Sequence, residues 1–169
     1  LLAIIHEIIA LGLYDREFVA RYSNGGHLVI VDPGSERHGL IATNEDSDPI
    51  NPDYPQNQLW WDRLSGLALL SHTEGADPAL FGEYRLRDGT RVKPSFQLLA
   101  ERVEPCTAAW AAEITGIPAA TVRRLAHEMG ITARDAKIEL PIAWTDCWGG
   151  EHESVTGRPV AFHAMRGLA

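Results

Sequence analysis

The densest group of reactive side chains lies in one polar stretch near the end of the chain. Residues 146–153 read Asp-Cys-Trp-Gly-Gly-Glu-His-Glu, so a thiol, an imidazole and three carboxylates fall within eight residues. Groups of this kind bind zinc or harder metal ions, and a metal hydrolase that uses Asp146 and His152 is one hypothesis for the protein. Their spacing matches no established ligand signature, and polar glycine-rich loops contain such residues by chance. We therefore predict no metal ligand here.

The other candidate residues are isolated in the sequence. Cys106 lies between Pro105 and Thr107 with no adjacent base to activate a thiolate, and free cysteines are most often inert packing residues. Cys106 and Cys147 lie too far apart for a short-range metal motif and are too few for a disulfide framework. His6 falls in an apolar stretch, where a hydrogen-bonded core histidine is the usual role. We predict no catalytic residue among them.

Composition excludes two classes of partner. The 169 residues include 23 acidic and 15 basic side chains, for a formal net charge of -8, so the chain has no broad basic field for nucleic acid. The longest apolar run, residues 1–5, is far shorter than the about 20 residues that span a bilayer. We expect no nucleic acid partner and no direct membrane insertion.

Composition and length favour a folded domain. With 45% hydrophobic and 22% charged residues, the chain is typical of one globular domain rather than of a disordered segment. It opens and closes on apolar segments without an initiator Met, so we expect an internal piece of a longer protein. The residues themselves leave the compartment open.

Hydrophobic periodicity predicts the first elements. Apolar residues recur at helical spacing over residues 1–11, and Asp15 is placed to cap a second helix over 16–22. A β-branched run predicts a strand at 27–31. Turn-forming residues crowd 43–58, which predicts a surface loop.

Two β-hairpins are predicted next. Their strands are 59–62 with 67–70 and 83–86 with 90–93. Asp88-Gly89 occupies the second turn, and Asp-Gly between alternating strands is the strongest short-range hairpin signal. On the first hairpin, the adjacent Trp60 and Trp61 could form a contact surface, although core packing is the commoner role of such a pair.

Helical patterning resumes after Pro94. Helices are predicted at 96–103, 108–115 and 119–129. Ser95 and Thr107 are placed to cap the first two, and Gly116 and Gly130 to end the second and third. Extended segments at 138–144 and 160–165 then bracket a polar loop.

This order of elements predicts an α/β fold with an inserted β-hairpin-rich region. We divide the chain into a helical part of the α/β domain (1–26), a loop and β-hairpin insertion (27–93), and further helices and strands of the α/β domain (94–169). The sequence contains no dinucleotide-binding glycine motif, phosphate loop, nucleophile elbow or zinc-protease motif. A self-contained acidic α/β binding or interaction module without catalysis is therefore one hypothesis.

Two stretches carry a more specific signal. Residues 2–24 read LAIIHEIIALGLYDREFVARYSN, and residues 107–126 read TAAWAAEITGIPAATVRRLA. Together and in this order they resemble segments of the catalytic subunits of molybdopterin oxidoreductases of the dimethyl sulfoxide reductase family. The chain departs from that family at Ala109, where an acidic residue is common, and in the long stretch 27–93. Residues 141–146 and 157–167 are most similar to a branch that oxidises sulfite or related sulfur compounds.

The resemblance implies an internal segment of an enzyme that transfers electrons and an oxygen atom. Its fold would be part of a Rossmann-like domain that binds a dinucleotide cofactor. The cofactor implied is a bis-pterin guanine dinucleotide with molybdenum or tungsten, and the longer protein would also carry a [4Fe-4S] cluster. The implied partners are an iron–sulfur electron-transfer subunit, together with a membrane anchor subunit.

The same resemblance gives the only site residues. By position, His163, Arg166 and Gly167 lead into a family loop that lies against one pterin. Arg166 and Gly167 are therefore expected near the cofactor. No cluster-binding cysteine motif and no ligand of the molybdenum is identified in this chain. We expect the isolated chain to retain no cofactor and to have no turnover.

Overall fold

The computed structural model of the chain describes residues 1–44, 57–147 and 149–161. Its elements, in chain order, are α1 (Leu2–Ala10), α2 (Arg16–Tyr22), β1 (Leu28–Ile30), β2 (Leu59–Asp62), β3 (Leu67–Leu70), β4 (Tyr84–Arg85), β5 (Arg91–Pro94), α3 (Ser95–Val103), α4 (Ala108–Thr115), α5 (Ala119–Asp135), β6 (Ile138–Leu140), β7 (Trp144–Thr145), β8 (Glu151–His152) and β9 (Val155–Gly157). The chain divides into two compact units. Unit 1 consists of Leu1–Asp15 and Pro105–Ala169, and unit 2 of Arg16–Glu104. The segment 27–93 lies within unit 2.

In unit 1, helices α1, α4 and α5 pack together through small side chains. The buried cluster between them consists of Ala3, Ala108, Ala111 and Val122. The predicted limits of α4 are confirmed. The Thr107 hydroxyl accepts the Trp110 N–H at 3.2 Å, and Gly116 ends the helix in the left-handed region with φ 72°.

The predicted end of α5 at Gly130 is wrong, because the helix continues to Asp135. Gly130 is buried inside the helix, and a Cβ atom at this position would lie 2.7 Å from the Cβ of Leu13. The missing side chain therefore permits a close approach between α5 and the segment after α1. Here glycine serves packing rather than helix termination.

The last part of unit 1 differs from the prediction of one long strand followed by a polar loop. The predicted strand at 138–144 is split into β6 and β7, and the predicted loop contains β8 and β9. β6 pairs with β9, and β7 with β8, both antiparallel. The β6–β9 pairing, in which Ile138 lies opposite Gly157, encloses the β7–β8 hairpin and joins residues that local patterning does not relate. Of the predicted strand 160–165, residues 160 and 161 are not in a strand, and the rest lies outside the described residues.

Unit 2 contains the two predicted hairpins. β2 pairs with β3, and β4 pairs with β5, whose other edge pairs with β1. Isolated bridges from Val29 to Ile41 and from Thr43 to Gln58 continue the hydrogen bonding from β1 towards β2. Most of the predicted loop 43–58 lies outside the described residues.

The core of unit 2 lies between these strands. Its buried members are Leu28, Ile30, Ala42, Leu59 and Val92. The rings of Trp61 on β2 and Tyr84 on β4 stack with centroids 4.3 Å apart and an interplanar angle of 10°. The two hairpins therefore pack against one another across this core. All strand pairs among the described residues are antiparallel.

A buried carboxylate fixes the first hairpin turn. Asp62 is 4% exposed and accepts hydrogen bonds from the N–H and hydroxyl of Ser65 and from the N–H of Asp77, at 2.8, 2.6 and 2.8 Å. These hydrogen bonds, that of the Ser65 hydroxyl first, lower the pKa of Asp62 to about 2. The ionised side chain thus connects the turn to the segment that follows β3.

Helix α3 begins differently from the prediction. Ser95 is the first helical residue rather than the cap, and Pro94 precedes the helix without a side-chain cap. The Ser95 hydroxyl donates to the carbonyl of Asn24, so it serves a long-range contact within unit 2. None of the helices in the described ranges is long and apolar enough to span a membrane.

Candidate functional site

In the polar stretch at 146–153, residues 146, 147, 149 and 150 lie in the turn of the β7–β8 hairpin, and residues 151 and 152 form β8. Trp144 pairs with His152, and Thr145 with Glu151. The turn is closed by the Asp146 N–H, which donates to the Gly150 carbonyl at 2.9 Å. The hairpin brings the ends of the stretch together, so residues six apart in sequence become neighbours.

The closest contact across the hairpin joins a carboxylate to an imidazole. Asp146 Oδ2 lies 3.0 Å from His152 Nε2, and Asp146 Oδ1 accepts the Gly150 N–H at 2.8 Å. A Cβ atom on Gly150 would lie 2.7 Å from Asp146 Oδ2, so glycine leaves room for the carboxylate. Because an ionised carboxylate only accepts hydrogen bonds, Nε2 carries the hydrogen in this pair.

Trp144 stacks on the face of the His152 imidazole. The rings of Trp144 and His152 stack with centroids 4.5 Å apart and an interplanar angle of 18°. The Trp144 indole N–H donates to the Ser154 carbonyl at 3.0 Å, and the Ser154 hydroxyl donates to Glu139. The imidazole is therefore oriented by an edge contact and a face contact.

This geometry suits proton transfer better than metal binding. The His152 side chain is 44% exposed and that of Asp146 20%. With Nε2 in contact with Asp146, Nδ1 is the other ring nitrogen that can make a hydrogen bond. In the described part of the chain, no three His, Cys, Asp or Glu side chains are grouped to hold a metal ion. For the metal hydrolase hypothesis, Asp146 and His152 are therefore close to each other, but the described residues place no third ligand beside them.

The isolated candidates have different surroundings. Cys106 is buried beside the cap of α4, in agreement with a packing role, and Cys147 is an exposed free thiol. His6 lies half-buried on α1. The interpretation of the Trp60–Trp61 pair as a contact surface is wrong for Trp60, which is 1% exposed. The Trp60 ring contacts the rings of His27 and His72 inside unit 2.

A second aromatic and polar cluster was not predicted from the sequence. The Trp60 ring lies between His27 and His72, with centroid distances of 6.3 and 5.1 Å. His27 Nδ1, Trp60 Nε1 and the Ser71 hydroxyl oxygen are buried without a hydrogen-bond partner. Burial, and then the nearby His72, lowers the pKa of His27. No sequence motif joins these residues, because strand pairing brings them together.

The family resemblance implies that two residues near the end of the chain approach the cofactor. Arg166 and Gly167, together with His163, lie outside the described residues. The expectation that they approach a pterin stays a prediction.

Comparison with known proteins gives one informative match. No protein-family model matches the chain. The chain is 63% identical, over 171 aligned residues and its whole length, to a protein of Allochromatium vinosum that is named as a subunit of sulfite dehydrogenase. It spans 18% of the length of that relative. The similarity therefore extends through both compact units.

Proposed function

We propose that this chain is a segment of the catalytic subunit of an enzyme that oxidises a sulfur oxyanion, with sulfite as the substrate. The observation that carries the proposal is the 63% identity over the whole chain to a protein named as a sulfite dehydrogenase subunit. The resemblance of residues 141–146 and 157–167 to a sulfur-oxidising branch supports the same substrate class.

We further propose that the longer polypeptide holds a molybdenum or tungsten bis-pterin guanine dinucleotide and a [4Fe-4S] cluster. The two segments at 2–24 and 107–126 support this cofactor through their family resemblance. The described residues contain no group of three metal-ligating side chains, so we expect the metal and cluster ligands in other parts of the polypeptide. When bound, the cofactor supplies the redox chemistry. In this proposal the chain belongs to a Rossmann-like domain around it, and the enzyme passes electrons to an iron–sulfur subunit.

The Asp146–His152 pair is the part of this chain whose geometry suits such a reaction. Oxidation of sulfite takes an oxygen atom from water, so protons leave together with electrons. His152 presents Nδ1 for a proton while Asp146 holds Nε2 at 3.0 Å. We propose that His152 carries protons away during turnover and that Asp146 is its positioning residue.

Elemental analysis of the longer polypeptide tests the cofactor. After anaerobic purification from its source, we expect about one molybdenum or tungsten per polypeptide, accompanied by iron. A known molybdoenzyme purified in parallel controls for metal loss. Retention of metal by that control, but of neither molybdenum nor tungsten by this protein, would contradict the proposal.

A further inference from the structure

Helix α4 of unit 1 has large apolar side chains on its outer side. Trp110 is 39% exposed, and Ile114, one turn further along the helix, is 65% exposed. Ile117, just after the end of α4, is 46% exposed. The opposite side of α4 carries Ala108 and Ala111, which are buried in the cluster shared with α1 and α5. The helix is therefore apolar on both sides, although the described residues bury only one of them.

The neighbouring helix α5 has the polar outer side that is expected of a helix in contact with water. Its exposed residues include Arg123, Arg124, His127 and Glu128, and Arg124 pairs with Glu128 at 2.9 Å. Among the eight residues of α4, Glu113 alone carries a charge. A helix that is apolar all round is typical of a protein interior, whereas an amphipathic helix lies at the surface. The composition of α4 therefore favours a position between two layers of protein.

The length of the relative indicates what covers the outer side of α4. The chain spans 18% of that relative, so more than four fifths of the relative lies outside the matched region. A segment on the same polypeptide has a high effective concentration at this helix, which a second copy or a separate subunit does not have. With eight residues, α4 is also far shorter than the about 20 residues that cross a bilayer. These observations favour a segment of the same polypeptide as the occupant.

Glu113 restricts the chemistry of that segment. It is exposed and lies one helical turn after Trp110, next to Ile114. A carboxylate that becomes buried at an apolar contact is stable only when a basic group pairs with it. A segment that covers this side of α4 must therefore bring an apolar face and a Lys or Arg side chain opposite Glu113.

We propose that the outer side of α4, with Trp110, Ile114 and Ile117, is an internal interface of a longer polypeptide. Its occupant is a segment of that polypeptide outside residues 1–169, which packs an apolar face on the three side chains and a basic group on Glu113. The inference rests on one part of the proposed function, namely that the chain is a segment of a longer protein. Neither sulfite nor the cofactor takes part in it.

Photo-cross-linking in the longer polypeptide tests the interface. The photoreactive residue p-benzoylphenylalanine replaces Trp110, and the peptide that it attaches to after irradiation is identified by mass spectrometry. We expect attachment to a peptide of the same polypeptide outside residues 1–169, without a heavier band on a denaturing gel. The matched control carries the same photoreactive residue in place of His127, on the charged side of α5, and should show little attachment.

Oxidation of the unmodified polypeptide by hydroxyl radicals is a second measurement that needs no substitution. Trp110 and Ile114 should lose most of their oxidation when the polypeptide is folded, compared with the unfolded polypeptide. His127 should remain oxidised in both states. Where the photoreactive residue at Trp110 disturbs folding, the same residue in place of Ile117 repeats the cross-linking test.

Three results would overturn the proposal. Attachment only within residues 1–169 would show that this chain covers its own helix, and a heavier band would assign the surface to a second copy or another subunit. Equal oxidation of Trp110 in the folded and unfolded polypeptide would show that nothing covers it. None of these readouts uses sulfite, so a polypeptide that gives the expected cross-link but oxidises no sulfite would contradict only the proposed reaction.

Discussion

Asp146 Oδ2 lies 3.0 Å from His152 Nε2 across the β7–β8 hairpin. The contact depends on a tight turn in which Gly150 leaves space for the carboxylate and donates its N–H to the other carboxylate oxygen. Stacking on Trp144 fixes the plane of the same imidazole. Residues that looked like a loose polar loop therefore form an oriented carboxylate–imidazole pair.

Substitution of this pair should change turnover and its pH dependence. In the longer polypeptide, we expect His152→Gln to lower sulfite turnover by about a hundredfold, because general acid–base groups contribute on this scale. Asp146→Asn should cost about tenfold and alter the shape of the pH–rate profile, since it leaves the imidazole in place but removes its charged partner. Steady-state rates across the pH range measure both effects.

The matched control is Glu153→Gln, a charge change at an exposed neighbour. It should leave the pH profile unchanged. If His152→Gln retained the full rate and the wild-type profile while sulfite was still oxidised, His152 would have no role in proton transfer, although the proposed activity would stand.

Acid should destabilise unit 2 through Asp62. Its pKa is about 2 in the folded chain against 3.8 for an ordinary aspartate, so the unfolded state binds a proton more readily. The stabilisation is present above about pH 4 and is lost as the pH falls towards about 2. We expect Asp62→Asn to flatten the dependence of the melting temperature on pH in this window. A variant with the same pH dependence as wild type would contradict the account of Asp62.

A second loss of stability, caused by His27, is expected at milder pH. Burial and the neighbouring His72 lower its pKa below 6.5, so the folded state binds fewer protons than the unfolded state. Stability should therefore fall as the pH drops below about 6.5. His72→Gln should reduce this loss without abolishing it, because burial of His27 remains. Denaturant titrations at several pH values measure the loss of unfolding free energy, and His38→Gln is the control. If the unfolding free energy of His72→Gln fell with pH as steeply as that of wild type, the effect of His72 on His27 would be contradicted.

Packing at Gly130 predicts a destabilised helix contact. Gly130→Ala would place a Cβ 2.7 Å from the Cβ of Leu13, and overpacking of this kind costs about 1–3 kcal/mol. The better helix propensity of alanine returns up to about 1 kcal/mol, so we expect a net loss of about 1–2 kcal/mol in unfolding free energy. In a double-mutant cycle, Leu13→Gly, which removes the Cβ that the new atom would meet, should relieve part of the loss. Strict additivity of the two substitutions would show that no clash occurs.

Local signals predicted local structure well in this chain. The cap at Thr107, the stop at Gly116 and the turn at Asp88-Gly89 act within a few residues, and the structure has all three. Gly130 and Ser95 misled the prediction because each serves a contact with a distant segment, Leu13 and Asn24 respectively. Sequence patterns of caps do not distinguish these two uses.

The candidate site, too, could be predicted from the sequence only in part. The sequence suggested Asp146 and His152 only as residues of a metal hydrolase, whereas the hairpin register brings the two side chains into contact with each other. The His27–Trp60–His72 cluster had no sequence signature, since strand pairing and tertiary packing assemble it. The inserted hairpin region and the Rossmann-like domain stay predictions.

Sulfite oxidation by the longer polypeptide tests the central claim most directly. The measurement is sulfite-dependent reduction of a one-electron acceptor such as ferricyanide, with sulfate determined as product. We predict one sulfate formed for about two acceptor molecules reduced, as a two-electron oxidation requires, and no reduction when sulfite is omitted. A folded, metal-loaded protein that forms no sulfate from sulfite would contradict the proposed function.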